Sequence, residues 1–423
     1  MKVWLWLPES TDPVHAAEFT HDAGTGVGSW TYTREYLQMP GAYSPDPLHL
    51  PLTPRTSTTK KLKGWFGVLD DAAPGIFGRQ LLRKQRGMLT EEQVQVLIPA
   101  HGSGVVLLGD ATPERLAPPP SLEDVAAQAA IILSGALAEA DNAQLLSALT
   151  FVPSTGGAKP KMDLLDESGW MCMIKFPDSG DSPALPRIEA GAMELAARCG
   201  IEVSEPRVVR FEGKNGMREG LLQRRFDRVG PGSEMTRLAY ASGHTVLELD
   251  DGNEDYAHYG ALSHELMRWC GRGADKDHAV AQRRELWRRI VFNGLICNAD
   301  DHSRNVGVLR RNGVWSLAPA FDLVPQGLAA GQHCALRMAF DPAGDIQRVS
   351  YEALLDCASH YKWERGEADI ELRRMAGIVV EHFDAVMDRW EVPASEVAVR
   401  HTAIVISESI VTAEPLGGVR KRR

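Results

Sequence analysis

Short apolar runs separated by glycine and proline dominate the amino-terminal part of this 423-residue chain. The segment "GVVLLGD" has the continuous apolar run of a buried strand, and a helix is predicted from about Gly75. Three consecutive prolines, 118 to 120, stop any regular element, and Ser121 followed by Glu123 and Asp124 is typical of a helix start. The pattern therefore predicts a small α+β module that ends at this point.

The middle of the chain alternates predicted strands with helices. A helix is expected over 126–149. The segments "WMCMIKFP", "PRVVRFEG" and "REGLLQRRFDR" then have the pattern of strands, with one helix at about 187–199 between the first and the second. Strands that alternate with a single helix indicate a mixed sheet with one helix packed on it.

Beyond about Gly232 the apolar positions recur at helical spacing. Helices are predicted over "YGALSHELMRWCGR", over "RRELWRRIVFNGLICN" and from about Tyr351 to Trp390. Four arginines are predicted to form a solvated face of the second helix, with a partner surface as the alternative: Arg283, Arg284, Arg288 and Arg289. The order of elements predicts an α+β protein with a sheet-rich lobe before a helix-rich one, and with domains at 1–117, 118–232 and 233–423.

Composition and charge narrow the class of protein. The net charge of -10 disfavours broad nucleic-acid binding; the tail "GGVRKRR" is a basic patch, for which a solvated terminus is the other explanation. The six cysteines form no C-x-x-C pair and no metal-ligand spacing, which indicates buried free thiols in a reducing compartment. The sequence shows neither an export signal nor an apolar run of about 18 residues. A cytoplasmic protein is therefore expected.

A concentrated polar cluster, "NADDHSRN" at 298–305, directly follows the second of these helices. Asp300 and Asn305 have the D-x-x-x-x-N spacing of the protein-kinase catalytic loop, in which the aspartate receives the proton of the acceptor hydroxyl. The alternative is that Asp300 and Asp301 form only turn or capping hydrogen bonds.

A predicted hairpin extends this cluster to a third side chain. Asn312 and Gly313 tolerate positive φ and lie between two apolar runs, and "AFDLVP", which contains Asp322, follows the second run. Because a hairpin folds its two ends together, Asn305 and Asp322 are expected within reach of one metal ion. Oxygen ligands of this kind suit Mg²⁺, although Asp322 as an ordinary loop acid remains the alternative.

Two basic features precede the cluster. The loop "PSTGGAKPK" at 153–161 has two glycines that let backbone N–H groups approach phosphate oxygens, but it is not a Walker A loop, and a flexible hairpin tip is the alternative. Lys175 lies in the apolar strand "MCMIKFP", where an unpaired ammonium is costly to bury. Protein kinases use such a strand lysine to hold the α- and β-phosphates. An outward-facing lysine on a half-exposed strand is the other interpretation.

Together these motifs resemble the HipA family of serine/threonine kinases, the toxins of bacterial toxin–antitoxin pairs. The resemblance covers nearly the whole chain, since "GWFGVLDDAAPGIFGRQLLR", "STGGAKPK", "IKFP", "RRFDR", "NADDHSRN" and "AFDLVP" occur in the family's order. It implies a bilobal protein-kinase-like fold with an extra amino-terminal subdomain, a sheet-containing N-terminal lobe and a mainly α-helical C-terminal lobe.

The resemblance also implies a role for each matching residue. Asp300 would be the catalytic base, Asn305 and Asp322 the Mg²⁺ ligands, and Ser154 the autophosphorylation site, whose modification would silence the kinase. Twelve residues are implied to contact ATP: Thr155, Gly156, Gly157, Ala158, Lys159, Lys161, Lys175, Arg224, Arg225, Phe226, His302 and Arg304. The chain departs from the family pattern at Asp301, where a small residue is usual, and at Arg224, where an acidic residue is frequent.

The implied function is that of an ATP-dependent serine/threonine protein kinase that uses Mg²⁺ and inhibits translation and growth. A HipB-like helix-turn-helix antitoxin would neutralise it, DNA would be met only through that antitoxin, and no membrane is expected as a partner. The family's known targets include aminoacyl-tRNA synthetases. Two alternatives are a non-catalytic co-repressor subunit of an antitoxin–operator complex and a lipid or small-molecule kinase.

Overall fold

A computed structural model describes residues 1–97, 100–125, 159–178, 180–213, 216–250, 252, 257–272 and 276–413. The predicted helix at 126–149 and the loop residues 153–158 lie outside the described residues. The chain divides into two compact units. The first comprises Met1–Pro186, Glu205–Asn253 and Gly307–Gly313, and the second comprises Arg187–Ser204, Glu254–Val306 and Val314–Arg423. The domains at 1–117, 118–232 and 233–423 remain a prediction.

An antiparallel five-stranded sheet forms the amino-terminal part of the first unit. Its strands, in spatial order, are Ser57–Thr59, Val27–Tyr32, Pro13–Asp22, Lys2–Trp6 and Val106–Leu108. Burial alternates along Val27–Tyr32, so Trp30 and Tyr32 lie in the core with Phe19 of the neighbouring strand. This alternation is expected of a sheet with one covered face. The strand Val106–Leu108 confirms the prediction for "GVVLLGD".

Short helices accompany this sheet. The described helices of the first unit are Arg34–Leu37, Gly67–Ala72, Ile76–Arg86, Glu91–Leu97, Pro113–Leu116 and Gly243–Val246. The helix that begins after Gly75 confirms the predicted one. A helix also starts after Ser121, whose hydroxyl accepts a hydrogen bond from the Asp124 N–H at 3.1 Å, while the Asp124 carboxylate accepts one from the Ser121 N–H. This reciprocal capping explains why the chain resumes regular structure directly after three prolines.

A four-stranded antiparallel sheet forms the rest of the first unit's core. Its spatial order is Lys161–Leu165, Met171–Lys175, Gly216–Arg224 and Pro206–Gly213. The last three confirm the strands predicted from "WMCMIKFP", "PRVVRFEG" and "REGLLQRRFDR". Apolar side chains from these strands, including Ile174, Phe211 and Leu222, pack in one buried cluster. The candidate lysines therefore sit on a rigid sheet, which positions side chains more precisely than a loop does.

The predicted hairpin is confirmed. Its strands Gly307–Arg311 and Val314–Leu317 flank Asn312 and Gly313, which have φ values of 50° and 81°. Positive φ at both central positions is the geometry that lets a two-residue turn follow the twist of its strands. In the first unit, Gly307–Arg311 pairs antiparallel with Tyr240–Ser242, and Arg228–Val229 pairs with Thr236–Arg237.

The second unit is mainly helical. Its helices are Leu185–Arg198, Tyr259–Cys270, Lys276–Leu295, Tyr351–Cys357, Arg365–Arg389, Ala394–His401 and Val405–Thr412. The prediction of one helical stretch from Tyr351 to Trp390 is wrong at one point. A 3-10 turn and the left-handed Lys362, with φ of 69°, interrupt it. The break allows Trp363 to pack against Trp287, with ring centroids 5.2 Å apart, a tertiary contact that the helical periodicity does not encode.

The predicted solvated arginine face of the helix Lys276–Leu295 is also wrong in part. Arg283 and Arg289 are each 8% exposed. The Arg283 guanidinium donates to the Ser263 hydroxyl at 2.7 Å, and Arg289 donates to the Ala318 carbonyl at 2.7 Å. The five donors of a guanidinium allow it to be buried when protein oxygens surround it. This helix is therefore covered on more than its apolar face.

Two further expectations concern the whole chain. All six cysteines are free and buried, as predicted. Within the described ranges, none of the helices has the length and apolar character needed to span a bilayer.

Candidate active site

The loop that contains Asp300 begins where the helix Lys276–Leu295 ends. The left-handed Cys297, with φ of 48°, turns the chain, and the buried Asn298 donates its backbone N–H to the Asn293 carbonyl at 2.8 Å. Further along, the carbonyl of Asp300 accepts hydrogen bonds from the His302 N–H at 3.0 Å and from Nδ2 of Asn305 at 2.9 Å. The backbone of the loop is thus fixed by its own polar groups.

The carboxylate of Asp300 points to solvent. The side chain is 60% exposed, and Nη1 of Arg337, itself 52% exposed, lies 3.7 Å from Oδ1. An exposed pair at this distance is weak because water screens both charges. The carboxylate is therefore open to an incoming hydroxyl, as a general base must be.

Asp301, the neighbouring carboxyl, occupies the opposite environment. It is 2% exposed, and its Oδ1 accepts the Arg337 N–H at 2.6 Å, while Oδ2 has no hydrogen-bond partner among the described residues. Burial raises the pKa of Asp301 to about 7, although the nearby Tyr259 hydroxyl and backbone N–H groups act in the other direction. The two adjacent aspartates thus differ in kind, since one is exposed and the other anchors the loop internally.

The raised pKa of Asp301 predicts a pH-dependent stability that Asp301→Asn removes. Between about pH 4 and about pH 7 the unfolded chain releases this proton while the folded protein retains it, so the free energy of unfolding falls as the pH rises through that window. The lost contribution is on the order of a few kcal/mol. Melting temperatures recorded from about pH 5 to about pH 8 should fall less steeply for the variant than for the wild type.

Asp300→Asn is the matched control for this measurement because it removes an exposed carboxyl from the adjacent position. The melting temperature of Asp300→Asn should fall with rising pH as steeply as that of the wild type. If the melting temperatures of the wild type and Asp301→Asn fall equally with rising pH, Asp301 does not retain a proton in the folded state.

Asn305 and Asp322 provide oxygen atoms suited to a metal ion. Because Nδ2 of Asn305 donates to the Asp300 carbonyl, Oδ1 is the atom that its side chain offers to a metal. Asp322 lies in the following loop with a φ of 59°, and Nδ2 of Asn298 donates to its carbonyl at 3.4 Å. One carboxylate and one amide oxygen fit Mg²⁺, which completes its shell with water and substrate phosphates.

A pocket joins the two loops in the second unit. Its lining includes Asn298, Asp301 and Asn305 from the first loop, and Phe321 and Leu323 from either side of Asp322. Among the described residues, no group of three or more histidine, cysteine, aspartate or glutamate side chains could hold a metal ion.

His302 and Arg304 are both half-buried and lie in the same loop. His302 precedes the 3-10 turn Ser303–Asn305, and its carbonyl accepts the Asn305 N–H at 2.8 Å. Their implied contact with ATP stays a prediction.

The candidate phosphate-binding lysines belong to the first unit. Lys161 and Lys175 face each other in register on adjacent strands, and each is 7% exposed. The alternative of an outward-facing Lys175 on a half-exposed strand is therefore wrong. Lys159 is more exposed, and its ammonium lies 3.4 Å from the Asp181 carboxylate. Two buried lysines therefore lie opposite each other at one end of the sheet.

Arg224 and Arg225, which precede Phe226 in the segment "RRFDR", have different surroundings. Arg224 is 55% exposed, lies over the Trp170 ring at 4.9 Å and faces Asp166 at 3.4 Å. Arg225 is buried, and its donors are taken up by protein oxygens, among them the carboxylates of Asp163 and Asp227.

Phe226 is half-buried, and its ring centroid lies 5.6 Å from that of Tyr240. The guanidinium of Arg225 holds the first unit together, so any contact of this segment with adenine would come from other atoms.

Five predicted site residues lie outside the described residues: Ser154, Thr155, Gly156, Gly157 and Ala158. Sequence reasoning missed Tyr259, Asn293 and Arg337, which form hydrogen bonds with the loop or with its supporting residues. Only Asn293 left a local signal, since it is five positions before Asn298 on the same helical run. Tyr259 and Arg337 are brought close by the fold alone.

The mixed sheet-and-helix architecture and two neighbouring loops carrying Asp300, Asn305 and Asp322 define the class of kinase-like α+β proteins. A family profile described as "HipA-like C-terminal domain" matches residues 153–390, more than half of the chain. The chain belongs to the HipA family.

Comparisons with single proteins agree with this membership. The chain resembles HipA in a solved complex of the Shewanella oneidensis MR-1 toxin–antitoxin system with HipB and operator DNA. The TM-score is 0.68 and the identity is 18%, over 97% of this chain and 100% of that one, which shows the fold. A Haemophilus influenzae protein named "Putative kinase" is 26% identical over 184 residues, and "Putative kinase Y4dM" of Sinorhizobium fredii is 28% identical over 169. These matches cover 40% and 37% of this chain, and 52% and 38% of the two relatives.

Proposed function

We propose that this protein is an ATP-dependent serine/threonine kinase of the HipA toxin type. The observation that carries the proposal is an exposed Asp300 carboxylate on the loop of Asn305, and this loop shares one pocket with Phe321 and Leu323 on either side of Asp322. A base open to solvent beside oxygen ligands for a metal is the minimal equipment for phosphoryl transfer to a hydroxyl. A protein that only binds partners has no need of this combination.

The proposed chemistry assigns a distinct task to each residue. When bound, Mg²⁺ and ATP supply the transferable phosphoryl group and neutralise its charge. Asn305 and Asp322 would hold the metal, and Lys175 and Lys161 would bind phosphate oxygens. Asp300 would orient the acceptor hydroxyl and receive its proton. Catalysis would then rest on positioning and on charge neutralisation rather than on a covalent intermediate.

The remaining contacts to ATP follow the same assignment. They would come from Thr155, Gly156, Gly157, Ala158, Lys159, Arg224, Arg225, Phe226, His302 and Arg304. Ser154 is proposed as the site of autophosphorylation, where an added charge of about -1.5 to -2 would repel the phosphates of a bound nucleotide.

We further propose a HipB-like antitoxin as the partner and a protein hydroxyl, with aminoacyl-tRNA synthetases as first candidates, as the acceptor. The structural likeness to a HipA in complex with HipB and operator DNA supports the first of these. It also favours a second candidate function, that of a co-repressor which meets operator DNA through the antitoxin.

The test is phosphate transfer by the purified protein. The protein is treated with phosphatase, freed of it, and incubated with ATP and either Mg²⁺ or a chelator; intact mass and site mapping follow. Candidate synthetases and, in a separate arm, lipid vesicles serve as acceptors. The expected result is Mg²⁺-dependent phosphate on a serine or threonine of this protein or of a candidate synthetase. Transfer only to lipid would overturn the protein-kinase assignment, and no transfer to any acceptor would leave the co-repressor function.

A further inference from the structure

A directed chain of buried amide hydrogen bonds links the loop of Asp300 to the loop of Asp322. Nδ2 of Asn298 donates both to Oδ1 of Asn293 at 3.1 Å and to the Asp322 carbonyl at 3.4 Å. Oδ1 of Asn298 accepts the Val324 N–H at 3.4 Å. One side chain in the first loop therefore holds the backbone on both sides of Leu323 in the second.

The same chain continues away from the second loop. Nδ2 of Asn293 donates to the Tyr259 hydroxyl at 3.2 Å, and that hydroxyl lies beside the Asp301 carboxyl. Asp301 in turn accepts the Arg337 N–H. The donor and acceptor roles agree at every step from Asn298 to Asp301. One orientation of the two asparagine side-chain amides therefore satisfies the whole chain.

These groups are buried at the ends of rigid elements. Asn293 is 7% exposed and Asn298 2% exposed, and both line the pocket that also includes Asn305. Tyr259 and Asn293 belong to the helices Tyr259–Cys270 and Lys276–Leu295, whereas Asp322 has a left-handed backbone that a non-glycine residue adopts at a cost. A strained residue keeps its conformation only where its surroundings hold it, and Asn298 provides part of that hold.

We propose that Asn298 and Asn293 are positioning residues that set the place of Asp322 relative to Asn305. The proposal rests on the proposed function, because it treats these two residues as the metal ligands. Neither asparagine would touch the metal or the substrate. Their effect would be to keep the two oxygen ligands, which lie on separate loops, at the separation that a small and geometrically demanding ion requires.

Loss of such support is expected to weaken the metal site more than it weakens the fold. Partners that orient metal ligands typically contribute about 10–100-fold in metal affinity or activity. Asn298→Ala removes the hydrogen bonds to Asn293, to Asp322 and to Val324 together. Tyr259→Phe removes the acceptor of Asn293 and the hydroxyl beside Asp301, but it leaves the hydrogen bonds from Asn298 to Asp322 and Val324, so it should have a smaller effect in the same direction.

The control must lose a buried hydrogen bond in the same unit without removing any hydrogen bond made by Asn298, Asn293 or Tyr259. Ser407→Ala meets this requirement, since Ser407 is fully buried and its hydroxyl donates to the Leu295 carbonyl at 2.8 Å. It should lower the melting temperature as the asparagine variants do. It should leave the dependence on Mg²⁺ unchanged.

The experiment measures ADP binding by calorimetry with and without Mg²⁺, and phosphate transfer as a function of Mg²⁺ concentration, in the full chain. For Asn298→Ala we expect the gain in ADP affinity on adding Mg²⁺ to fall about 10–100-fold, with affinity in chelator unchanged and with transfer partly restored by excess Mg²⁺. Restoration by excess metal separates a positioning role from a general loss of structure.

The outcomes separate two failures. If Asn298→Ala and Tyr259→Phe gain as much ADP affinity from Mg²⁺ as Ser407→Ala does, the positioning role is refuted while the kinase assignment stands. If Asn298→Ala does not fold, Asn293→Ser and Tyr259→Phe are compared by the ratio of their ADP affinities with and without Mg²⁺. If the wild type itself binds ADP equally with and without Mg²⁺ and transfers no phosphate, the proposed function fails, and the positioning role with it.

Discussion

Asp300→Asn is expected to lower phosphate transfer by about 10²–10⁴-fold while the protein remains folded and binds nucleotide. Asparagine has the size of aspartate, and the Asp300 side chain is 60% exposed, so the substitution removes a proton acceptor without opening a cavity. The hydrogen bonds that fix the loop use the backbone carbonyl of Asp300 and survive the change. The loss should therefore fall on kcat rather than on the KM for ATP.

Asp301→Asn is the comparison that locates the base. Asp301 is buried with its Oδ1 bound to the Arg337 N–H, so its replacement should alter stability and its pH dependence more than the rate. Transfer rates, the KM for ATP and melting temperatures are measured for both variants. If Asp301→Asn abolishes transfer and Asp300→Asn does not, the base is Asp301 and the exposed carboxylate has another task.

The parts of the fold that follow from the sequence are those fixed by local patterns. The strand Met171–Lys175 is predicted by its continuous apolar run, and the helix Tyr259–Cys270 is predicted by apolar residues at helical spacing. The turn at Asn312 and Gly313 follows from the conformations that these two residues tolerate. Each of these features depends on a short segment and on no distant partner.

Features that depend on distant partners could not be predicted in this way. Arg289 is buried because the Ala318 carbonyl accepts its hydrogen bond, and the helical break at Lys362 brings Trp363 onto Trp287. Neither contact is visible in a hydrophobic pattern. A periodic pattern identifies apolar residues that prefer burial. It does not identify polar side chains whose burial depends on hydrogen bonds to distant partners.

The candidate site shows the same division. Asp300 and Asn305 lie five positions apart in one loop, so their spacing is visible in the sequence, and the predicted hairpin adds Asp322 to them. The difference in environment between Asp300 and Asp301 could not be predicted, because it arises from Arg337 and Tyr259, which reach the loop from elsewhere in the chain. The buried pairing of Lys161 with Lys175 likewise required the register of two strands.

The first unit contains a buried cluster of two arginines and two aspartates. Arg225 binds the carboxylates of Asp163 and Asp227 at 2.8 Å, and Arg228 shares Asp227. Burial raises the pKa of Asp163 to about 6 despite its arginine partners, whereas the two arginines outweigh burial at Asp227 and hold its pKa well below the usual range. The cluster is stable as a set because opposite charges and hydrogen bonds compensate each desolvated group.

Arg225 also fastens a separate segment to the four-stranded sheet. Its guanidinium donates to the carbonyls of His101 at 2.6 Å and of Gly102 at 3.3 Å, and Asp227 accepts the Gly104 N–H at 2.7 Å. Residues 101–104 precede the strand Val106–Leu108 of the five-stranded sheet. The five-stranded and the four-stranded sheets are therefore both tied to this one side chain.

Arg225→Met is expected to lower the free energy of unfolding by about 3–5 kcal/mol, because methionine keeps the volume but leaves buried carboxylates and carbonyls without their donor. Adding Asp163→Leu should recover part of this loss by removing a stranded carboxyl. Urea unfolding followed by tryptophan fluorescence gives the free energies. Arg224→Met, at the exposed neighbouring position, should change stability by less than about 0.5 kcal/mol. A similar small change for both single variants would mean that the Arg225 network does not stabilise the first unit.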